Sequence, residues 1–172
     1  KTKKQYLPYP KGRSLDQKSK EDVKTLINGT PIKRDLLIEY LHLIQDKYRC
    51  IKKSHLAALS DIMKIPFAEA FEVASFYAHF DVLDDNDPTP PEITIRMCDS
   101  LTCELKGSDS LLKDLQKKYH NSDKVRVLRA PCMGLCDVAP ACEVGHNHIK
   151  NCSMETIAVS YTHLTLPTKA HV

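Results

Sequence analysis

The segment at residues 84–92, DDNDPTPPE, constrains the fold of this chain more than any other feature, because it separates two stretches with different hydrophobic periods. Its prolines and acidic residues exclude a helix or a central strand. Apolar residues recur at helical spacing before it and alternate with polar residues after it. We therefore expect an N-terminal helical region over residues 1–83, with residues 1–12 disordered, and a separate domain over residues 92–158.

Before this linker, apolar side chains mark three successive amphipathic helices, which are expected to form a helical bundle. The three stripes are Leu37, Leu41, Ile44 and Tyr48; then Leu56, Leu59 and Met63; then, after Pro66, Phe67, Phe71, Ala74 and Ala78. Phe76, Tyr77 and Phe80 are placed by the same pattern on the third helix, where core packing is their expected role.

After the linker, Ile93, Ile95 and Met97 alternate with polar residues and predict a strand that ends at Cys98. The segment at 107–120 predicts a helix with Ser108 as N-cap and Asp109 in its first turn. KVRVLR at 124–129 predicts a second strand, and ACEVG and NHIKN predict a hairpin that turns near Gly145. The order of elements predicts a small α/β sheet and, with the N-terminal helices, an α+β protein.

Two cysteine pairs follow the two main strands. Cys98 and Cys103 form a CxxxxC pair at the end of the first strand, and Cys132 and Cys136 form a CxxxC pair after the second. If the strands are parallel neighbours, the four thiols meet at one edge of the sheet. Four thiolates are the ligand set of tetrahedral zinc and of a two-iron, two-sulfide (2Fe-2S) cluster, and spacing alone does not choose between them.

Three alternatives to a cluster stay open at this point. A zinc site is weakened because neither pair is the CxxC that zinc ribbons favour. Four unrelated core thiols are a weaker explanation, because both pairs occupy loop positions beside strand ends. A thiol–disulfide oxidoreductase is disfavoured because no CxxC opens a helix. Cys50, Cys142 and Cys152 are interpreted as structural thiols, of which Cys142 is the nearest substitute for a ligand.

Other residues near the second pair also bear on the site. Gly134 would let the backbone approach a bound group, and Pro131 and Pro140 would preorganise the thiols, punctuate a turn, or do both. Arg129 would tune a cluster electrostatically or be a solvated strand residue.

Composition narrows the class of protein. The chain has 172 residues, 42% apolar residues, a net charge of +3 and seven cysteines, an odd number that cannot all pair. A reducing, cytoplasmic location is the expectation, without membrane insertion, because no apolar run approaches the length of a membrane span.

Basic and acidic residues are interleaved, which disfavours a nucleic-acid partner. The five glycines form no GxGxxG or phosphate loop, so the chain is not expected to bind NADH or flavin by itself.

The cysteine motifs carry a family resemblance. RMCDSLTCELKG, followed by RAPCMGLCDVAPACEVG, resembles the thioredoxin-like 2Fe-2S ferredoxin family, which includes the small E-type peripheral component of NADH-quinone oxidoreductase. LIEYLHLIQDKY, HLAALSDIM and EVASFYAHFDV are similar to that family's helical N-terminal region. The resemblance covers about residues 12–157. It implies a thioredoxin-like sheet domain, a 2Fe-2S cluster, and Cys98, Cys103, Cys132 and Cys136 as ligands, the first pair on one iron and the second on the other.

The resemblance also implies a function. Family members transfer electrons in NADH dehydrogenase or NAD-dependent formate dehydrogenase complexes, and LHLIQDKY, FYAHFDV and EVGHNH look closest to the formate dehydrogenase version. The implied partner is the flavin- and NADH-binding subunit, separate or fused, and a homodimer of the isolated chain is left open. Residues 159–172 depart from the family and look like translated library-adapter sequence, so we expect a non-native tail there and exclude it.

Overall fold

The computed structural model describes residues 15–165, with side chains through Thr162. It contains two compact units, and the division falls between Thr89 and Pro90. The predicted disorder of residues 1–12 and the last seven residues of the predicted tail lie outside the described residues. In the described part of the chain, no helix is both long and apolar enough to cross a membrane.

The first unit contains four α-helices among its described residues, one more than the sequence predicts. They are α1 (Gln17–Leu26), α2 (Leu37–Tyr48), α3 (Lys53–Met63) and α4 (Phe67–Phe76), and a short parallel pair is formed by β1 (Ile51–Lys52) and β2 (Val82–Leu83). Helix α1 escaped prediction because its sequence, QKSKEDVKTL, is mostly polar and buries only Ser19 and Val23. Its start is fixed by Asp16, whose carboxylate accepts a hydrogen bond from the Ser19 backbone N–H at 2.8 Å.

The core of the first unit is built from the predicted apolar stripes. Leu41, Ile44, Leu56 and Leu59 are completely buried. The end of the last helix differs from the prediction, because α4 stops at Phe76 and the chain becomes extended at Tyr77, so Ala78 lies beyond the helix.

This early end also corrects the expected burial of two of the three aromatic residues. Phe80 is buried, but Phe76 is 80% exposed and Tyr77 is 42% exposed. The core assignment was therefore wrong for Phe76 and Tyr77.

The second unit is a four-stranded sheet with three helices. In chain order its elements are β3 (Ile93–Cys98), α5 (Leu101–Leu105), α6 (Ser108–Tyr119), β4 (Val125–Ala130), β5 (Cys142–Val144), β6 (Asn147–Ile149) and α7 (Met154–Thr165). The strand order is β4-β3-β5-β6, with β3 and β4 parallel and the other pairs antiparallel. The predicted hairpin is confirmed, as is the parallel pairing of the two main strands.

Helices α6 and α7 cover one face of this sheet. Leu112 and Leu115 of α6 and Ile157 of α7 pack in one core with Ile95 and Met97 of β3. Helix α7 includes residues 159–165, the first part of the predicted tail, and its Tyr161 ring lies 6.0 Å from the Tyr119 ring, centroid to centroid. The non-native origin of residues 159–172 stays a prediction.

The start of α6 differs from the expected cap. Gly107, in the left-handed conformation at φ +89°, occupies the N-cap position, and Ser108 is the first helical residue. The turn between α5 and α6 needs this conformation, which glycine adopts without strain. The N-cap residue is therefore Gly107 and not Ser108, the residue that the sequence predicted.

Candidate metal centre

The register of the two parallel strands brings both cysteine pairs to one edge of the sheet. Cys98 is the last residue of β3 and lies opposite Ala130, the last residue of β4. The Asp99 backbone N–H donates to the Ala130 carbonyl at 3.0 Å, which extends the pairing one residue beyond the strand. Both chain segments therefore leave the sheet side by side, as the sequence predicts for parallel neighbours.

The first pair is buried. Cys98 is 1% exposed and Cys103 is 2% exposed. Cys103 lies in α5, a short helix that the sequence analysis treated as a loop, because five residues are too few to show a helical period. The helix turns Cys103 inward, while Leu101 and Leu105 on the same helix remain exposed.

The second pair is exposed and lies in an irregular loop. The Sγ atoms of Cys132 and Cys136 are 3.4 Å apart. Between them, Gly134 has φ +75° and its backbone N–H donates to the Cys132 sulfur at 3.4 Å. A Cβ built on Gly134 would meet nothing within 4 Å, so the loop needs glycine here for its backbone conformation.

The four thiols form one cluster. Cys98 interacts with both Cys103 and Cys132, and the second pair is closed by the contact between Cys132 and Cys136. Ala139 and Ala141 pack against the buried pair, and Met133 and Leu135 cover part of the same group. The predicted convergence of the four cysteines is therefore seen in the structure.

The surroundings of the thiols differ in polarity. Burial raises the pKa of Cys103, whereas the Gly134 N–H and the Cys136 side chain lower the pKa of Cys132. The Ser100 hydroxyl also interacts with Cys132, and the Thr102 hydroxyl interacts with Cys136. The sequence analysis missed these two donors. Their position between Cys98 and Cys103 could have indicated that their hydroxyls lie close to the thiols.

The remaining three cysteines lie away from this cluster. Cys142 and Cys152 belong to the core between the sheet and its helices, and Cys50 belongs to the first unit. All three are buried, with at most 5% exposure. The Cys152 side chain and burial raise the pKa of Cys142, which keeps this thiol protonated.

The donor set fits a four-thiolate metal centre. Two thiols come from each of two segments, no other thiol belongs to the same group of packed side chains, and backbone and hydroxyl donors lie next to the sulfurs. Thiolates of cysteine are the ligands that a 2Fe-2S cluster requires, and hydrogen bonds to the sulfurs set its potential. The site therefore has the donor set of a four-thiolate metal-binding protein, of the iron–sulfur or the zinc class, on a small α/β sheet.

Comparison with known proteins identifies the family. Residues 23–163 match the family model described as thioredoxin-like [2Fe-2S] ferredoxin. The E subunit of NADH-quinone oxidoreductase from Aquifex aeolicus is 30% identical over 141 residues, which cover 76% of this chain and 85% of that protein. The same component from Rickettsia typhi is 24% identical, with 86% and 92% covered. The chain belongs to the thioredoxin-like [2Fe-2S] ferredoxin family, which confirms the predicted 2Fe-2S cofactor.

A solved structure shares the fold. The crystal structure of an NAD+-reducing [NiFe]-hydrogenase in the H2-reduced state matches with a TM-score of 0.59 at 21% identity. The match covers 80% of this chain but 24% of the hydrogenase chain, so the chain spans about a quarter of that longer protein. This similarity supports the thioredoxin-like α+β fold.

Proposed function

We propose that this chain is an electron-transfer subunit or module that carries one 2Fe-2S cluster in an NADH dehydrogenase-type complex. The observation that carries the proposal is the convergence of four thiols from two segments at one sheet edge, in a chain of this family. The proposed ligands are Cys98, Cys103, Cys132 and Cys136, with the first pair on one iron and the second pair on the other. When bound, the cluster supplies reversible one-electron chemistry.

The residues of the chain have distinct tasks in this proposal. The buried pair, Cys98 and Cys103, anchors the cluster in the apolar interior, while the exposed pair, Cys132 and Cys136, holds it at the surface where electrons enter and leave. Gly134 N–H, Ser100 and Thr102 lie beside the exposed sulfurs as hydrogen-bond donors. Donors of this kind favour added negative charge and so raise the reduction potential.

The names of the relatives support the proposal of a multi-subunit setting. The two relatives are both E subunits of NADH-quinone oxidoreductase, and the hydrogenase chain contains the matching part within a longer polypeptide. We propose that the partner is the flavin- and NADH-binding subunit, separate or fused, and that the N-terminal helices form a bundle that helps dock to it. A formate dehydrogenase complex is the more specific form of this proposal, and a reducing cytoplasm is its expected location.

The first experiment is iron and acid-labile sulfide analysis of protein purified without oxygen. We expect about two irons and two sulfides per chain and an electron paramagnetic resonance signal after reduction with dithionite. Stoichiometric zinc without iron in freshly reconstituted protein would contradict the proposal and would favour a zinc-stabilised interaction module.

The second experiment separates a relay from a complete enzyme. The loaded chain alone is not expected to oxidise NADH with an artificial acceptor, because its five glycines form no dinucleotide loop. Activity should appear when the flavin-bearing component of an NADH dehydrogenase-type complex is added. Saturable NADH binding by this chain alone, measured by calorimetry, would show that the relay assignment is incomplete.

A further inference from the structure

Arg129 occupies a position that connects the two cysteine segments. It is the second-last residue of β4, lies opposite Met97 of β3, and comes three residues before Cys132. Because side chains alternate along a strand, Arg129 extends from the sheet face that Met97 shares with the packed helices. Arg129 therefore lies near the end of the sheet where the thiols meet, on the face opposite to the Cys98 side chain.

Two carboxylates hold the guanidinium in place. Nη2 of Arg129 lies 2.9 Å from Oδ1 of Asp109, in the first turn of α6, and Nη1 lies 4.0 Å from Oδ2 of Asp99, which follows Cys98 directly. The side chains of Lys113 and Arg129 keep the pKa of Asp109 below its usual range, so this carboxylate is ionised at neutral pH. These contacts tie the ends of β3 and β4 to the start of α6.

Arg129 also borders the first cysteine of the site. Residues Arg129, Cys98, Asp99 and Asp109 line one small cavity. The Cys98 side chain turns to the other face of the sheet, so the guanidinium and the thiol lie on opposite sides of the same sheet end. The sequence left Arg129 either as a tuning residue or as a solvated strand residue. The ion pair with Asp99, the residue that follows Cys98, favours the first interpretation, because it keeps a positive charge at the end of the sheet that carries the thiols.

A fixed charge at this place affects electron uptake. Reduction transfers one electron from a donor to the centre, converts one ferric ion to ferrous, and adds one negative charge, while no bond to Arg129 forms or breaks. A nearby positive charge stabilises the more negative state, and nearby carboxylates oppose it. We propose that Arg129 raises the reduction potential of the 2Fe-2S centre and that Asp99 and Asp109 position its guanidinium and offset part of its charge. This inference rests on the proposed function.

The test is a redox titration of the loaded protein, followed by absorbance or electron paramagnetic resonance. At the wild-type midpoint potential, we expect Arg129→Gln to lower the ratio of reduced to oxidised protein about threefold. Asp109→Asn should shift the ratio in the opposite direction, because it removes a negative charge. Both shifts should shrink at high salt, since half of the Arg129 side chain is solvent-exposed.

The matched control is Arg126→Gln. Arg126 lies on the same strand and donates to Thr94 Oγ1 at 2.8 Å, but it is three residues, or about 10 Å, farther from the thiol edge. The Arg126→Gln substitution changes the net charge by the same amount as Arg129→Gln, and it should shift the midpoint potential much less. An equal shift in Arg126→Gln would overturn the inference, because the effect would then follow net charge alone.

A conservative variant separates charge from fold. Arg129→Lys keeps the positive charge but loses the planar guanidinium, whose several N–H groups can bind two carboxylates at once. It should keep most of the wild-type potential, even if cluster retention falls. Loaded variants whose midpoints all equal the wild-type value would overturn this inference alone. Failure of the wild-type chain to bind iron would overturn the proposed function and this inference with it.

Discussion

Cys98 and Cys142 lie on opposite faces of the same sheet. Cys142 of β5 is opposite Met97 of β3, and successive side chains of a strand alternate between faces, so Cys142 shares the face of Met97 and Cys98 takes the other. Cys142 accordingly packs in the core beneath the helices, and Cys98 packs with Cys103 and the alanines of the thiol site. Sequence proximity to the CxxxC pair therefore does not make Cys142 a ligand.

This separation predicts different outcomes for two substitutions. Cys136→Ser should lose the cluster or shift its visible spectrum, because serinate is a harder ligand than thiolate. Cys142→Ala should keep the wild-type spectrum and lose stability on the order of 1 kcal/mol, as expected for a small cavity. Absorbance and iron content measure the first effect, and urea unfolding measures the second.

Cys152→Ala is the control for the buried thiols, because Cys152 lies in the same core with 5% exposure. It should behave as Cys142→Ala does. Loss of the cluster in Cys142→Ala, combined with retention in Cys136→Ala, would show that the proposed ligand set is wrong.

Gly134 and Gly29 form a matched pair for a test of the loop conformation. Both have positive φ, at +75° and +87°, and a Cβ built on either would meet nothing within 4 Å. Alanine at each should therefore cost about 1 kcal/mol of backbone strain. Only Gly134→Ala should also shorten the lifetime of the cluster in air, because Gly134 lies between Cys132 and Cys136. Equal cluster lifetimes in the two variants would show that this loop tolerates the strain.

Gln45 joins α2 to the segment before β2. Its side-chain amide donates to the Arg49 carbonyl and to Oδ2 of Asp81, each at 3.2 Å, and its oxygen accepts from the Asp81 backbone N–H at 3.1 Å. Gln45→Leu should lower the free energy of unfolding by about 1–2 kcal/mol, because three partly buried hydrogen bonds are lost. Urea unfolding checks this value. Gln17→Leu, on the exposed surface of α1, is the control and should change stability by less than about 0.5 kcal/mol.

His55 predicts a pH dependence of stability. Burial lowers its pKa in the folded state, its Nδ1 has no hydrogen-bond partner among the described residues, and its ring lies 4.4 Å from that of Tyr48. Below about pH 6.5 the unfolded chain binds a proton that the folded chain resists, so the free energy of unfolding falls as pH decreases through this range. His55→Phe should keep the ring contact and reduce this fall.

Urea unfolding at pH 7.5 and pH 5.5, on protein of equal iron content, measures the effect. A fall in stability that is the same in wild type and in His55→Phe would assign the pH dependence to other groups.

The spacing of apolar residues predicted the helices and strands whose sequences carry a regular apolar pattern. Ile93, Ile95 and Met97 identified β3 to the residue, and the stripe of Leu41 and Ile44 identified α2. Helix α1 has no apolar stripe and α5 is too short to show one, so both depend on packing that only the folded chain reveals. Phe76 looked like a core residue because hydrophobicity does not show where a helix ends.

The candidate site was predictable to a similar extent. The four cysteines follow from spacing and strand ends, and their convergence required only the assumption that β3 and β4 are parallel. The contacts of Ser100 and Thr102 did not follow, because their partner thiols come from another segment of the chain. For Arg129 the sequence left two interpretations, because its partners Asp99 and Asp109 are also distant in sequence. Contacts between distant residues leave no local periodic signal.

The parallel pairing of β3 with β4 also sets the order of events as the protein is made. Two parallel strands cannot be joined by a tight turn, so the chain must pass through α5 and α6 before Ala130 can reach Cys98. The two thiol pairs, about thirty residues apart, meet only after this loop has closed, and closure costs entropy that local helix formation does not. A nascent chain that has not completed β4 thus offers only two of the four thiols of the site. Iron delivery has to follow folding of the sheet, and the bound metal would then resist its reopening.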